Sequence, residues 1–305
     1  MPHGPGFAAR SDVGSTRTGN EDRFLARPPL FAVADGMGGH QAGEVASELA
    51  ISLLDETADR SPVLGTDSLV DALERSNAAI RREARLRADL AGMGTTCTVA
   101  VLDGEIHIAH VGDSRAYRFR AARLEQLTDD HSLVASMVRE GRMDPAAAMT
   151  DGRRNIITRA LGAEDQVRVD VVSADLAPGD RLLLCSDGLH GQVDDAAIAT
   201  VLRDEPDPAH AVDRLIGLAN AAGGEDNVTV IVIDPDMMAD AASPAVAVAV
   251  DDDQQESADA AKRTDDSPIP ARRPRRAIAL FLLLVIAAIA VAIAGWLLAA
   301  AISPT

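Results

Sequence analysis

Short apolar runs alternate with longer amphipathic stretches over residues 1–236. The apolar runs predict β-strands over residues 30–34, 97–104, 105–112, 116–120, 181–186 and 228–233. The amphipathic stretches predict helices over residues 43–58, 67–90, 131–141, 194–204 and 208–222. Asp103–Gly104, between two of the strands, is typical of a hairpin turn, and hairpins favour antiparallel sheets. We therefore expect an α+β fold, a β-sandwich of two antiparallel sheets flanked by helices.

The pattern changes after residue 236. Residues 237–276 are charged, poor in large apolar side chains and punctuated by proline, which predicts a disordered linker. Residues 277–302 carry no charge and exceed the ~20 apolar residues that span a bilayer, which predicts one C-terminal transmembrane helix. The basic "ARRPRR" directly before this helix favours a cytoplasmic location for the preceding chain. We expect a cytoplasmic domain over 1–236, a single-pass anchor in the cytoplasmic membrane, and an extracytoplasmic tail over 303–305.

The composition excludes two classes of function. The formal net charge is −18, which argues against a nucleic-acid partner, because polyanions bind to basic surfaces. The two cysteines, Cys97 and Cys185, are followed six positions later by Asp103 and Gly191. Neither cysteine therefore begins a Cys-x5-Arg phosphate loop, and a thiol-based phosphatase is excluded.

Acidic residues stand where the apolar runs begin or end. An Asp-Gly pair after a single strand is usually only a turn, but several such sites in one domain favour a gathered cluster. Carboxylates without nearby lysine or cysteine suit Mg²⁺ or Mn²⁺, and one carboxylate that bridges two ions is a common device of phosphate hydrolysis. Arg17 adds a forked donor that fits a phosphate. The acidic residues are Asp35, Asp113, Asp187 and Asp226, with the pair Glu21 and Asp22 near the N-terminus.

A series of motifs resembles the PP2C (PPM) family of metal-dependent serine/threonine protein phosphatases, in its bacterial form. The motifs occur in the family's order and cover residues 8–235. They are "SDVGSTRTGNED" (11–22), "ADGMGGHQAGEVAS" (34–47), "GTTCTVA" (94–100), "AHVGDSRAY" (109–117), "LTDDHSLV" (127–134), "NIITRALG" (155–162), "GDRLLLCSDGL" (179–189) and "EDNVTVIVI" (225–233).

The resemblance implies a site at one end of the sandwich that binds two divalent cations, Mn²⁺ or Mg²⁺. It implies hydrolysis of phosphoserine and phosphothreonine in proteins by a metal-activated water. The implied roles are metal ligation by Asp35, the Gly36 carbonyl, Asp187 and Asp226, a third, weaker metal at Asp113, metal-bound waters held by Glu21 and Asp22, and phosphate binding by Arg17. His40 stands where bacterial members keep a histidine, and it has two interpretations, a general acid or a residue that orders the metal's surroundings.

One position departs from the family. Members commonly carry Asp or Asn shortly after "SDGL", where this chain has His190 and Gly191. The departure either weakens the third metal site or makes His190 a ligand. Residues 139–157 match the flap of bacterial members and contain Arg142, Arg153 and Arg154, as substrate-binding groups or as solvated surface arginines.

The resemblance also implies partners, namely phosphorylated proteins and, among them, bacterial serine/threonine kinases and their substrates. Two other classes of function stay open at this point. One is a catalytically inactive binding module of the same fold, which lost metal ligands would mark. The other is a metal-dependent hydrolase of different phosphoesters, which would share the carboxylates but not the order of the motifs.

Overall fold

The computed structural model describes residues 3–4, 6–60, 64–148 and 150–242, with side chains over 6–39, 41–60, 64–148 and 150–238. These residues belong to one compact unit, Met1–Val246. The predicted transmembrane helix over 277–302, the tail over 303–305 and most of the predicted linker lie outside the described residues. Among the described residues, no helix is long and apolar enough to cross a membrane.

The described strands form two large sheets and one small one. The strands are β1 His3–Gly4, β2 Phe7–Asp12, β3 Arg23–Arg27, β4 Leu30–Ala34, β5 Gly36–Met37, β6 Gly94–Thr95, β7 Cys97–Leu102, β8 Glu105–Val111, β9 Arg115–Arg120, β10 Arg123–Gln126, β11 Asp170–Asp175, β12 Arg181–Cys185 and β13 Val228–Ile233. The first large sheet has the order β1-β2-β13-β12-β9-β10, the second has the order β11-β8-β7-β4-β3, and β5 pairs with β6. Neighbouring strands in all three sheets run antiparallel.

The described helices include two long ones before β6 and three shorter ones between β12 and β13. Their bounds are α1 His40–Arg60, α2 Thr66–Leu86, α3 Leu133–Arg139, α4 Pro145–Ala148, α5 Asp187–His190, α6 Asp195–Asp204, α7 Pro208–Ala221 and α8 Pro235–Ala242, with a 3₁₀ turn at Ala88–Leu90. Their ends follow local chemistry: the side chain of Asp207, for example, accepts the N–H groups of Ala209 and His210 at the start of α7.

Three hydrophobic clusters define the layers. Along β4, Ala32 packs toward α1 and α2, whereas Phe31 and Val33 pack between the two large sheets. Along β13, Val230 packs toward α6 and α7, whereas Ile231 packs between the sheets. Both sheets are therefore covered on both faces, by helices outside and by each other inside. The alternation of side chains along each strand produces this arrangement.

The predicted sandwich of antiparallel sheets flanked by helices is confirmed. The hairpin predicted at residues 103 and 104 connects β7 to β8. The second long helix ends at Leu86 instead of the predicted residue 90, because Arg87 has an extended backbone. Helix α8 crosses the predicted boundary between domain and linker at residue 236. The domain boundaries themselves stay a prediction.

Candidate active site

Strand β4 ends at Ala34 and places Asp35 at one end of the sandwich. Every residue of β4 is buried, so close packing fixes the point where the chain leaves the sheet. The N–H of Asp35 donates to Thr96 Oγ1 at 2.9 Å, and its carbonyl accepts from the Thr96 N–H at 2.8 Å and from Thr95 Oγ1 at 2.9 Å. The backbone that carries the Asp35 carboxyl is therefore held on both sides.

Gly36 lies where three segments of the main chain pack closely together. A Cβ atom at this position would collide with the main chain of Gly43, in α1, and of Glu21. Only glycine fits this approach. The main chain of Glu21 is fixed from two further sides: its N–H donates to Asn227 Oδ1 at 2.8 Å, and its carbonyl accepts from Ser47 Oγ at 2.6 Å. Glu21, the first residue of the acid pair predicted from the sequence, therefore packs directly behind the turn that follows Asp35.

Asp113 follows β8 and is only 4% exposed. Its carbonyl accepts a hydrogen bond from His190 Nε2 at 3.0 Å, so His190 carries its proton on Nε2. Burial, with the nearby Arg115, lowers the pKa of His190 to about 3, and the ring is neutral at physiological pH. Because Nε2 of His190 donates its proton to this carbonyl, it is not available to bind a metal, which disfavours the interpretation of His190 as a metal ligand through that atom.

Asp187 approaches the site from the other large sheet, and Asp22, which directly precedes β3, is hydrogen-bonded to residues of that other sheet. Asp187 begins α5, directly after β12. Asp22 is buried, and its Oδ2 accepts from Ser186 Oγ and from Thr229 Oγ1, each at 2.7 Å. Two neighbouring strands, β12 and β13, therefore orient the Asp22 carboxyl.

Arg17 and Asp226 form the more exposed side of the site. Arg17 Nη2 donates to Asp226 Oδ2 at 2.8 Å, and the two side chains are 46% and 30% exposed. Asp226 Oδ1 accepts from the N–H of Asn227 at 2.8 Å. Burial lowers the pKa of Arg17, but the carboxylates of Asp226, Glu21 and Asp35 outweigh burial and raise it. Arg17 therefore keeps its charge beside the acidic cluster.

Four aspartates of the site have raised pKa values. Burial is the largest cause for each, and the neighbouring carboxylates add to it. The pKa is raised to about 7 for Asp22, to about 8 for Asp113 and to about 6 for Asp187, and that of Asp35 is raised well above its usual range. Concentrated negative charge of this kind disfavours the ionised carboxylates unless a cation lies between them.

Buried carboxylate oxygens without hydrogen-bond partners indicate which kind of ligand the cluster can bind. Oδ1 of Asp22, Asp113 and Asp187 is in each case buried without a hydrogen-bond partner. Such an atom is costly unless a cation or a donor satisfies it, and hard divalent ions prefer carboxylate oxygens. Within the described part of the chain, no three His, Cys, Asp or Glu side chains converge closely enough to hold one ion by themselves. The unpartnered oxygens of Asp22, Asp113 and Asp187 are the observation that fits a hard divalent cation such as Mg²⁺.

The family model described as protein phosphatase 2C matches residues 16–228, a range that contains Arg17, Asp226 and every predicted site residue between them. The chain belongs to the protein phosphatase 2C family. Over 232 residues it is 44% identical to the serine/threonine protein phosphatase PstP of Mycobacterium tuberculosis, which covers 75% of this chain and 44% of that protein. It is 39% identical over 239 residues to the serine/threonine phosphatase Stp of Listeria monocytogenes, which covers 75% of this chain and 95% of that protein. The chain thus spans less than half the length of PstP.

Solved structures of protein phosphatase 2C relatives are similar in fold. The crystal structure of M. tuberculosis PstP superposes with a TM-score of 0.71 at 43% identity, covering 75% of this chain and 97% of that one. The PstP catalytic domain in complex with two manganese ions superposes with a TM-score of 0.70 at 43% identity, covering 75% and 96%.

Most of the residues that the sequence analysis assigned to the protein phosphatase 2C site lie together. The clustered residues are Arg17, Asp22, Asp35, Asp113, Asp187 and Asp226, with Glu21 and Gly36 packed behind them. His40 is the first residue of α1, and its side chain lies outside what the structure describes. Its role stays a prediction.

Several supporting residues escaped the sequence analysis. Besides the bond to Glu21, the Asn227 side chain donates to the carbonyls of Val13 and Gly19 at 2.9 Å each, which fixes the segment that carries Arg17. Thr96 and Thr229 are fully buried hydroxyls. A polar residue inside an otherwise apolar run, such as Thr229 in "VTVIVI", is the signal that could have found them.

Proposed function

We propose that this chain is a metal-dependent protein phosphatase that hydrolyses phosphoserine and phosphothreonine in proteins. The cluster of four aspartates with raised pKa values, beside the half-exposed guanidinium of Arg17, carries the proposal. An anionic phosphate needs both cations and a forked donor, and this site offers places for both. The names of PstP and Stp, which are serine/threonine phosphatases of the same family, support this choice of substrate.

Two divalent cations, Mn²⁺ or Mg²⁺, are the proposed cofactors. The PstP catalytic domain, 43% identical to this chain, is known in complex with two manganese ions. The residues that would hold the ions are Asp35, the carbonyl of Gly36, Asp187 and Asp226, with Glu21 and Asp22 holding their waters. We further propose that Asp113 binds a third ion only weakly, because Gly191 has no side chain that could act as a second ligand.

When bound, the cations supply a nucleophilic water at neutral pH and neutralise charge on the phosphoryl oxygens. The chain's own groups position the substrate. Arg17 binds the phosphate oxygens with the N–H donors that are not used in its hydrogen bond to Asp226. His40 is proposed to protonate the departing serine or threonine oxygen, since an alkoxide is a poor leaving group at neutral pH.

We also propose that the chain acts at the cytoplasmic membrane, on phosphorylated proteins that include serine/threonine kinases and their substrates. The uncharged apolar residues 277–302 and the preceding basic "ARRPRR" support a single-pass anchor. A tether raises the effective concentration toward membrane-bound partners. Deleting residues 277–305 should slow dephosphorylation of a membrane-bound kinase in cells but not hydrolysis of a phosphopeptide in solution. An unchanged rate in cells would contradict the tether.

The phosphatase proposal is tested with the full chain and a phosphothreonine peptide, in EDTA, Mg²⁺ or Mn²⁺. Phosphate release should require metal and should be lost in Asp35→Asn. Asp103→Asn is the matched control, because Asp103 lies in the hairpin turn with its side chain 45% exposed. Metal-independent turnover, or full activity in Asp35→Asn, would overturn the proposal. Peptide binding without turnover would favour an inactive binding module, and faster hydrolysis of nucleotides would favour a hydrolase of other phosphoesters.

A further inference from the structure

Thr96 lies at the point where the two loops that carry Asp35 and Asp113 meet. Asp35 leaves β4 and Asp113 follows β8, and β7 is the strand between β4 and β8 in the sheet. Because neighbouring strands are antiparallel, the start of β7 lies at the same end as the exits of β4 and β8. Thr96 directly precedes β7 and is fully buried.

The Thr96 hydroxyl contacts both loops. Oγ1 accepts the N–H of Asp35 at 2.9 Å and lies 2.7 Å from Oγ of Ser114, the residue after Asp113. The main chain adds a second bond, from the Thr96 N–H to the Asp35 carbonyl at 2.8 Å. One hydroxyl thus connects the backbone of Asp35 to the neighbour of Asp113.

The Cβ and Cγ2 atoms of Thr96 pack closely against Gly112, the residue before Asp113. Gly112 has a φ of +113°, and a Cβ atom there would lie 2.5 Å from both Cβ and Cγ2 of Thr96. Gly112 is therefore required twice, by its backbone conformation and by the approach of the threonine. Thr96 consequently fixes the Asp113 loop by packing and the Asp35 loop by hydrogen bonding.

Thr98, two residues after Thr96 and within β7, offers a comparison. It is also fully buried, but its Oγ1 donates to the carbonyl of Ser114 at 2.9 Å and lies 2.9 Å from Nδ1 of His110. Thr98 thus supports the Asp113 loop from behind, whereas the Thr96 side chain reaches both loops. The two threonines share burial and chemistry and differ in what they connect.

We propose that Thr96 is a positioning residue whose hydroxyl sets Asp35 and Asp113 relative to each other and thereby raises the affinity of the site for divalent cations. The proposal rests on the proposed function above, because it takes these aspartates as metal-binding groups. Residues that orient metal ligands commonly contribute about ten- to a hundredfold to metal affinity. The hydroxyl of Thr96 occupies such a place for two carboxylates at once.

The test is Mn²⁺ binding to the full chain by calorimetry, with the melting temperature in EDTA as a measure of folding. Thr96→Val keeps the shape and removes the hydroxyl, and it should weaken Mn²⁺ binding about tenfold or more. Thr96→Ser keeps the hydroxyl and loses only the methyl group that packs on Gly112, so it should bind Mn²⁺ clearly more tightly than Thr96→Val. Thr98→Val, the matched control, should weaken Mn²⁺ binding much less at a comparable loss of melting temperature.

Ser114→Ala provides a second route to the same contact. Ser114→Ala should weaken Mn²⁺ binding. Its effect should not add to that of Thr96→Val in the double variant, because both changes break the same contact between the two hydroxyls. Wild-type affinity in Thr96→Val, or equal losses in Thr96→Val and Thr98→Val, would overturn the proposal. If Thr96→Val does not fold, wild-type Mn²⁺ affinity in Ser114→Ala would overturn the proposal instead. Weakened Mn²⁺ binding in Ser114→Ala, together with tighter binding in Thr96→Ser than in Ser114→Ala, would support it.

The outcomes separate the two proposals. A wild-type chain that neither binds Mn²⁺ nor releases phosphate with it would contradict the proposed function. A wild-type chain that does both, with Mn²⁺ binding unchanged in Thr96→Val, would contradict only the role of Thr96.

Discussion

The guanidinium of Arg17 lies 2.8 Å from the carboxylate of Asp226, although 209 positions separate the two residues in the chain. The contact places a half-exposed positive charge at the rim of an otherwise acidic site. A guanidinium has five N–H donors, so the bond to Asp226 leaves donors for a phosphate. Arg17 is thus held in place by the same group of carboxylates that would hold the metal.

Replacement of Arg17 by lysine should impair phosphate recognition. Lysine keeps the charge but loses the planar fork, so kcat/KM for a phosphothreonine peptide should fall about ten- to a hundredfold. Steady-state kinetics at saturating Mn²⁺ measure this effect, and Mn²⁺ affinity should change little. Arg27→Lys is the control, because Arg27 pairs with Asp55 and Asp59 on the surface of the described domain. Equal effects of the two substitutions would argue against a phosphate-binding role.

Asp22 should make the metal-free protein less stable as the pH rises. Its pKa is raised to about 7 by burial and by Asp187 and Asp226, so the folded state holds a proton that the unfolded chain releases near its ordinary pKa of 3.8. The contribution of Asp22 to the free energy of unfolding is therefore fully present below about pH 4 and is lost as the pH rises through about 7. Asp22→Asn, which carries no charge, should be more stable than the wild type in EDTA at pH 8, by about 1–4 kcal/mol.

Urea unfolding of both proteins in EDTA, between pH 4 and pH 8, measures this difference in the free energy of unfolding. The difference should shrink toward low pH, and added Mn²⁺ should reduce it at pH 8 by stabilising the wild type. Asp103→Asn, in the exposed turn, should show no such pH dependence. A difference between Asp22→Asn and the wild type that does not vary with pH would contradict the buried, protonated Asp22.

Arg154 should contribute to binding of the peptide substrate. It lies 3.7 Å from Glu225, and its charge partly offsets the rise that burial causes in the pKa of Asp187, whereas Arg153 pairs with Asp151. Arg154→Ala should raise KM for a phosphopeptide about two- to fivefold, the size expected for partly exposed charges, with a smaller change in kcat.

The control for Arg154 is Arg142→Ala, from the same segment, since Arg142 pairs locally with Glu140 at 3.0 Å. Kinetics on a peptide with acidic residues beside the phosphothreonine give the sharpest contrast. If both substitutions change KM equally, the flap arginines act only through general surface charge.

His40 has two interpretations that one experiment separates. A general acid protonates the leaving oxygen, so His40→Gln should lower kcat for a phosphothreonine peptide by about a hundredfold or more. The same variant should hydrolyse p-nitrophenyl phosphate at nearly the wild-type rate, because p-nitrophenolate leaves without a proton. Equal losses on both substrates would instead favour a histidine that orders the metal's surroundings.

The local pattern found the central strands better than the edge strands. Residues 30–34 and 228–233 match β4 and β13 because central strands are buried on both faces and read as continuous apolar runs. The edge strands β1, β3, β10 and β11 were not predicted, and neither was β2, which has only the two-residue β1 beyond it. Edge strands bury less surface, so sequences such as "RLEQ" in β10 carry little apolar signal.

The sequence by itself determined the family and the identity of the acidic residues, because both are written in local motifs whose order survives without a structure. Only the tertiary structure decided which groups act on one another. The contact of Arg17 with Asp226, the bond from His190 to the Asp113 carbonyl and the bridge through Thr96 each join residues far apart in the chain. Strand order and sheet packing set these distances, and the raised pKa values follow from them, because burial and charge proximity depend on positions in space.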